Sequence, residues 1–164
     1  AHLRNPCVTC HGSKQVHVRR YGSGKGRALL VASEFPFAKI VGIELSEQLH
    51  RIAENNVLLY KPASQQCDAF DLRRMDVLDY DHEGGPLVLF LFDPFGREIF
   101  KEVVASLDAS LRATPREAYV VYVYPQYEDL LQNSPALRKM REGGTRWRPW
   151  SRYVVYASAD VQVA

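Results

Sequence analysis

The chain of 164 residues holds only three cysteines, two methionines and two tryptophans. Three cysteines cannot build a disulfide framework, and their sparing use points to a reducing compartment, the cytoplasm. No apolar run nears the roughly 20 residues that span a bilayer. The longest, "PLVLFLF" at 86–92, has the length of a strand. The first residue is not methionine, and the charged and apolar regions of a secretory leader are missing, so the start reads as a fragment or an altered beginning. Internal repeats and low-complexity segments are lacking as well. Residues 1–27 lack any carboxylate while carrying Arg4, Lys14, Arg19, Arg20, Lys25 and Arg27.

What is present suits one soluble globular domain with a full core: 46% of residues are hydrophobic and 24% charged. The net charge of +2 conceals two basic ends, since residues 138–152 add six basic side chains against Glu142 alone. Such ends can bind nucleic acid or an acidic partner. The plainer reading is two solvated surfaces, because aromatic and basic residues interleave only at "RWRPWSRY". "CVTCH" at 7–11 has the spacing of a haem attachment site. With no export signal, no second CxxC pair and few methionines, neither haem nor a metal is expected.

Strand and helix patterns alternate along the chain. A strand runs into the glycine turn at 22–26, and "GRALLVASEF" then has helical spacing, closed by Pro36. "AKIVGIEL" (38–45) is a β-branched strand ending near Glu44, and Ser46 is placed to cap the helix that follows. "DAFDLRRMDVLDY" is a weaker strand with an acidic tail. "PLVLFLFDP" (86–94) is apolar on both faces, as in the middle of a covered parallel sheet. An amphipathic helix over 97–112, a strand over 118–125 and a short helix over 126–132 follow. "TRWRPW" and "RYVVYASA" are expected to pair as a closing antiparallel hairpin. The pattern predicts an α/β fold with a mostly parallel sheet.

In such sheets, ligands bind at the carboxyl ends of the strands, where the strand order reverses. The residues predicted there are Gly22 to Gly26, Glu44, Asp76, Asp93 to Phe95 and Tyr124. A P-loop would need GK followed by Ser or Thr, and Lys25 is followed by Gly26. A dinucleotide fingerprint needs a small residue where Arg27 stands, so an NAD-binding oxidoreductase is a poorer match. A nucleoside with an amino-acid tail is the remaining ligand. Glu44 is placed to accept from its ribose hydroxyls and Asp76 from an adenine amine; the plainer alternative for each is a solvated strand-end carboxylate.

In their order and spacing, "GSGKGR", "IVGIELS", "RRMDVLDY" and "LFLFDPFG" resemble the class I S-adenosylmethionine-dependent methyltransferases, over roughly residues 16–157. The resemblance implies a Rossmann-like three-layer sandwich, with a mostly parallel seven-stranded sheet and an antiparallel last strand. It divides the chain into an atypical segment, 1–15, and a cofactor-binding methyltransferase domain, 16–164. It also implies that Gly22, Ser23, Gly24 and Gly26 border the methionine part of S-adenosylmethionine. Glu44, with Leu45 beside it, would hold the ribose, and Asp76 with Val77 would flank the adenine.

"DPFG" at 93–96 resembles the Asn/Asp-Pro-Pro-aromatic motif of amino-group methyltransferases, with the second proline missing. On that resemblance Asp93 and the Pro94 carbonyl accept from a target amine and Phe95 packs against it. The alternative is that Asp93 caps the next helix and Phe95 belongs to the core. "GSGKGR" with "GIELS" is also similar to non-SET protein lysine methyltransferases. A protein lysine or a small-molecule amine is therefore the expected methyl acceptor. No membrane partner is expected, and nucleic acid only through the basic termini.

One departure stands out. The family places an acidic residue two positions before the first glycine, and here that residue is Arg20, preceded by Arg19 and His17. An unpaired arginine buried in a central strand costs several kcal/mol. The sequence thus predicts a defective first strand, and a damaged, non-catalytic methyltransferase-like domain as the alternative function.

Overall fold

The computed structural model describes residues 15–82, 84–145 and 147–159. "CVTCH", and with it all but the last residue of the atypical segment 1–15, lies outside the described residues. Seven strands form one sheet: β1 (His17–Tyr21), β2 (Lys39–Glu44), β3 (Phe70–Arg74), β4 (Leu87–Phe92), β5 (Ala118–Val123), β6 (Leu137–Thr145) and β7 (Arg148–Ser158). Their order is β3-β2-β1-β4-β5-β7-β6. The pairs among β1 to β5 are parallel, whereas β7 runs antiparallel to both β5 and β6. The helices are α1 (Arg27–Ala32), α2 (Glu47–Leu59), α3 (Arg97–Ala113) and α4 (Glu128–Gln132).

Alternation along β2 shows why the sheet has a helix on each face. Val41 and Ile43 join the larger core cluster with Phe100, Val103 and Leu107 of α3. Ile40, pointing the other way, joins Leu29 of α1 and Cys67. Successive strand side chains take opposite faces, so a run apolar at every position suits a strand covered on both. The helix caps follow the same local logic. The Ser46 hydroxyl accepts from the Leu49 amide at 3.4 Å, as expected of a cap at the start of α2.

The first strand is intact, which corrects the expectation of a defective one. β1 sits between β2 and β4, in register His17↔Lys39 through Tyr21↔Ile43 on one side and His17↔Leu87 through Arg20↔Phe90 on the other. The arginines are accommodated rather than expelled. Arg19, 1% exposed, donates from Nη1 to the His82 carbonyl at 3.3 Å and lies 5.6 Å from the centre of the Tyr80 ring. Arg20 lies 5.4 Å from the centre of the Phe90 ring and donates to the Tyr21 carbonyl. Flat guanidinium groups stack on rings in this way with net attraction.

Two boundaries also differ. Helix α1 stops at Ala32, ahead of Pro36, because the Ser33 hydroxyl donates to the Leu30 carbonyl at 2.7 Å and closes the turn. The closing hairpin is displaced too. Arg148, Pro149 and Trp150 of "TRWRPW" open β7, the same strand that holds "RYVVYAS", and its partner is β6, "LRKMREGGT". Of β6 only Leu137 is buried, so the edge strand lacks the apolar alternation by which strands are recognised.

Candidate functional site

The chain goes from β1 outward to β2 and β3, then returns to β4 and β5 on the other side. The reversal places a crevice between the carboxyl ends of β1 and β4. The glycine turn fills one lip of it. Gly22, Gly24 and Gly26 all have left-handed backbones, with φ of 63, 56 and 83°. A Cβ on Gly22 would lie 2.9 Å from the Pro94 Cβ, so the turn touches the "DPFG" segment after β4. A Cβ on Gly26 would lie 3.1 Å from the Ala53 Cβ of α2. Both positions thus need glycine for shape as well as for φ. Gly24 is different: it has open space on its side-chain flank, where a ligand can approach the backbone.

Glu44 holds the turn. Its Oε2 accepts from the Gly24 amide at 2.8 Å and its Oε1 from the Ser46 amide at 2.9 Å, with the residue 9% exposed. The Ser23 amide donates to the Ile43 carbonyl at 2.9 Å, which ties the turn to the same strand end. Each carboxylate oxygen offers two acceptor sites, so both keep capacity for a ligand hydroxyl. Leu45, next in the chain, is 68% exposed and presents an apolar surface at the mouth. Asp76 is exposed and caps a single 3-10 turn, Val77–Asp79, through the Leu78 amide at 3.0 Å; Val77 is buried. The Met75 amide reaches the Glu44 carbonyl at 3.3 Å, so Asp76 stands one residue from the Glu44 strand end.

On the other lip, Asp93 and Tyr124 follow β4 and β5 directly and are the non-glycine residues with positive φ, 35 and 54°, among those described. Backbone strain of this kind concentrates at functional sites. The Asp93 carboxylate accepts from the Tyr122 hydroxyl at 3.3 Å and from Gln126 Nε2 at 2.6 Å. Burial, with the neighbouring Asp93 charge adding to it, pushes the Tyr122 phenol up to about 12, so it stays a proton donor at neutral pH. Phe95 is half-buried and packs against the larger core cluster, as in the core alternative. Asp93 does not cap α3; Gly96 occupies that position. Tyr122 and Gln126 were not singled out from the sequence, where nothing separates them from the other polar residues of 119–127.

Arg20 lies one residue before the end of β1, next to the glycine turn in the chain. Burial lowers its guanidinium to about 10 despite the opposing charge of Glu44, and its Nε is buried without a hydrogen-bond partner. No cluster of three or more ligating side chains that could hold a metal occurs among the described residues.

No protein-family model matches the chain, and no curated protein matches its sequence. Solved structures do. Magnesium protoporphyrin IX methyltransferase from Synechocystis, solved with bound SAM, superposes with a TM-score of 0.60 at 15% identity, over 87% of this chain and 69% of that one. Ribosomal protein L11 methylase from Lactobacillus delbrueckii gives 0.57 at 18% identity, over 86% and 68%. The methyltransferase domain of bacterial CtHen1 gives 0.59 at 12%, over 88% and 90%. The fold is that of the class I methyltransferases. At these identities the likeness is one of architecture. The mostly parallel seven-stranded sheet and the antiparallel β7 agree with what the resemblance implied.

Proposed function

We propose that the chain is an S-adenosylmethionine-dependent methyltransferase acting on an amino nitrogen, of a protein lysine or a small molecule. The observation that carries this reading is the buried Glu44 carboxylate bonded to the Gly24 amide of a glycine turn that itself touches Pro94, the residue after Asp93. The residues present fit the cofactor. Glu44 would accept from the ribose hydroxyls, with Leu45, Asp76 and Val77 around the base. Gly22, Ser23, Gly24 and Gly26 would let the methionine tail lie against the backbone. When bound, the cofactor supplies an electrophilic methyl group whose leaving sulfur departs uncharged, so little acid–base help is needed.

The protein's contribution is then orientation and exclusion of water. Asp93 and the Pro94 carbonyl would accept hydrogen bonds from the target amine and hold its lone pair toward the methyl. Tyr122 and Gln126 keep the Asp93 carboxylate in place through the bonds described above. Phe95 packs beside it.

Calorimetric titration with S-adenosylhomocysteine, using NAD as the control, tests the reading. Binding in the micromolar range with NAD silent is the expected result. A folded protein that ignores S-adenosylhomocysteine would overturn the proposal. Asp93→Ala is expected to retain that binding while losing at least about 100-fold in turnover; full turnover would remove Asp93 from the mechanism.

A further inference from the structure

The hairpin formed by β6 and β7 runs past the body of the protein. Val123, the last residue of β5, pairs with Tyr153, and the Tyr124 amide still reaches the Arg152 carbonyl at 2.8 Å. Residues 148–151 therefore lie beyond β5, an overhang of roughly 13 Å at the rise of a strand. Because β7 is antiparallel to β5, this overhang leaves from the carboxyl edge of the sheet, the edge that bears the glycine turn and Asp93. Two strand spacings, about 10 Å, separate β7 from β4 along that edge.

The side chains on this arm divide into two sets. Lys139 and Arg152 are neutralised at its base by Glu128 and Glu142: Lys139 Nζ lies 2.8 Å from Glu128 Oε1, and Arg152 pairs with Glu128 as well. Arg138, opposite Ala157, Arg141, opposite Val155, and Arg148, on the overhang, are spaced along the hairpin, exposed and without an ion pair among the described residues. At the Arg148 end of the hairpin stand Trp147, 90% exposed, and Trp150, 60% exposed. Large aromatic side chains held in water beside free guanidinium groups are costly to keep for stability alone.

We infer that the β6–β7 hairpin is a binding surface for single-stranded nucleic acid. Unpaired bases stack on exposed aromatic rings whatever their sequence, and arginines alongside track the phosphates. Trp147 and Trp150 stand three positions apart in the chain, with Arg148 between them. The inference does not rest on the methyl-transfer reading, and it needs no cofactor to be tested.

The test is fluorescence anisotropy with a fluorescein-labelled 12-nucleotide oligouridylate, at increasing salt, with the same strand in a duplex as control. Three phosphate-contacting arginines predict a log–log salt slope near −2, at about 0.7 per contact on a single strand. Trp147→Ala and Trp150→Ala are each expected to weaken binding about tenfold, and Trp150→Tyr to restore most of it. Arg138→Ser with Arg141→Ser is expected to reduce the slope by about 1.4. All these side chains are exposed, and unchanged thermal midpoints would verify folding. No binding at low salt, or binding indifferent to both tryptophans, would overturn the inference. So would an acidic polypeptide, polyglutamate, that binds as tightly as the oligonucleotide; the arm would then serve an acidic protein partner.

Discussion

Replacing Arg20 by methionine should make the protein more stable. It stands on the central strand β1, with Gly42 of β2 and Phe90 of β4 as its register partners. Burial brings its pKa from 12.5 to about 10, so the charged form is disfavoured in the fold by about 3 kcal/mol. Against this stand the stacking on Phe90 and the hydrogen bond to the Tyr21 carbonyl, each worth about 1 kcal/mol. Methionine replaces the aliphatic stem, ends short of the guanidinium position and fills irregular space, so the net gain is at most about 1 kcal/mol. For a domain of this size that corresponds to a rise of roughly 2–4 °C in Tm, readable by circular dichroism. A midpoint several degrees lower would refute the reasoning and show that the charge is held by more than a ring and a carbonyl. The same variant also bears on the ligand. S-adenosylmethionine carries one more positive charge than S-adenosylhomocysteine, so removing the cation should favour the former more.

His82 should make the protein sensitive to mild acid. It is 2% exposed, and burial together with the Arg19 and Arg116 charges lowers it from 6.5 to about 4. Between these values the unfolded chain binds the proton and the folded one does not, so stability falls as pH drops from about 6.5 to 4, by about 3 kcal/mol. Urea midpoints against pH would show the slope, and His82→Gln should flatten it; an unchanged slope would assign the loss to other groups. Gly22→Ala meets both Pro94 and a left-handed backbone, and should cost about 1–3 kcal/mol in the same assay. Glu44→Ala strands the Gly24 and Ser46 amides and should cost about as much. It should also reduce S-adenosylhomocysteine affinity at least about tenfold; unaltered affinity would take Glu44 out of the site.

Most of the central sheet was legible along the chain because each element there is local. Within "AKIVGIEL" every residue from Ile40 to Glu44 is buried, on both faces, as suits a covered parallel strand, while along "PLVLFLF" Leu87, Leu89 and Leu91 are buried and Val88 and Phe90 half-buried. Ser46 before "EQLHRIAENN" is a cap whose partner lies three residues on. The closing hairpin was legible only in part. β7 keeps Val154 and Tyr156 on the core side, while β6 hangs past the core and owes its pairing to β7 rather than to its own pattern.

The sequence by itself determined the alternation of strands and helices, the glycine turn, and the carboxylates that end β2 and β4, since each depends on residues within a few positions of one another. Only the tertiary structure decided the rest. Arg19 and Arg20 look ruinous in one dimension, yet Tyr80, His82 and Phe90, some 60 to 70 positions away, surround them with rings and carbonyls. Tyr122 and Gln126 acquire meaning by meeting Asp93 across two strand ends. The cost of a buried charge and the use of a polar group are both set by neighbours in space, and those neighbours come together only when the sheet closes.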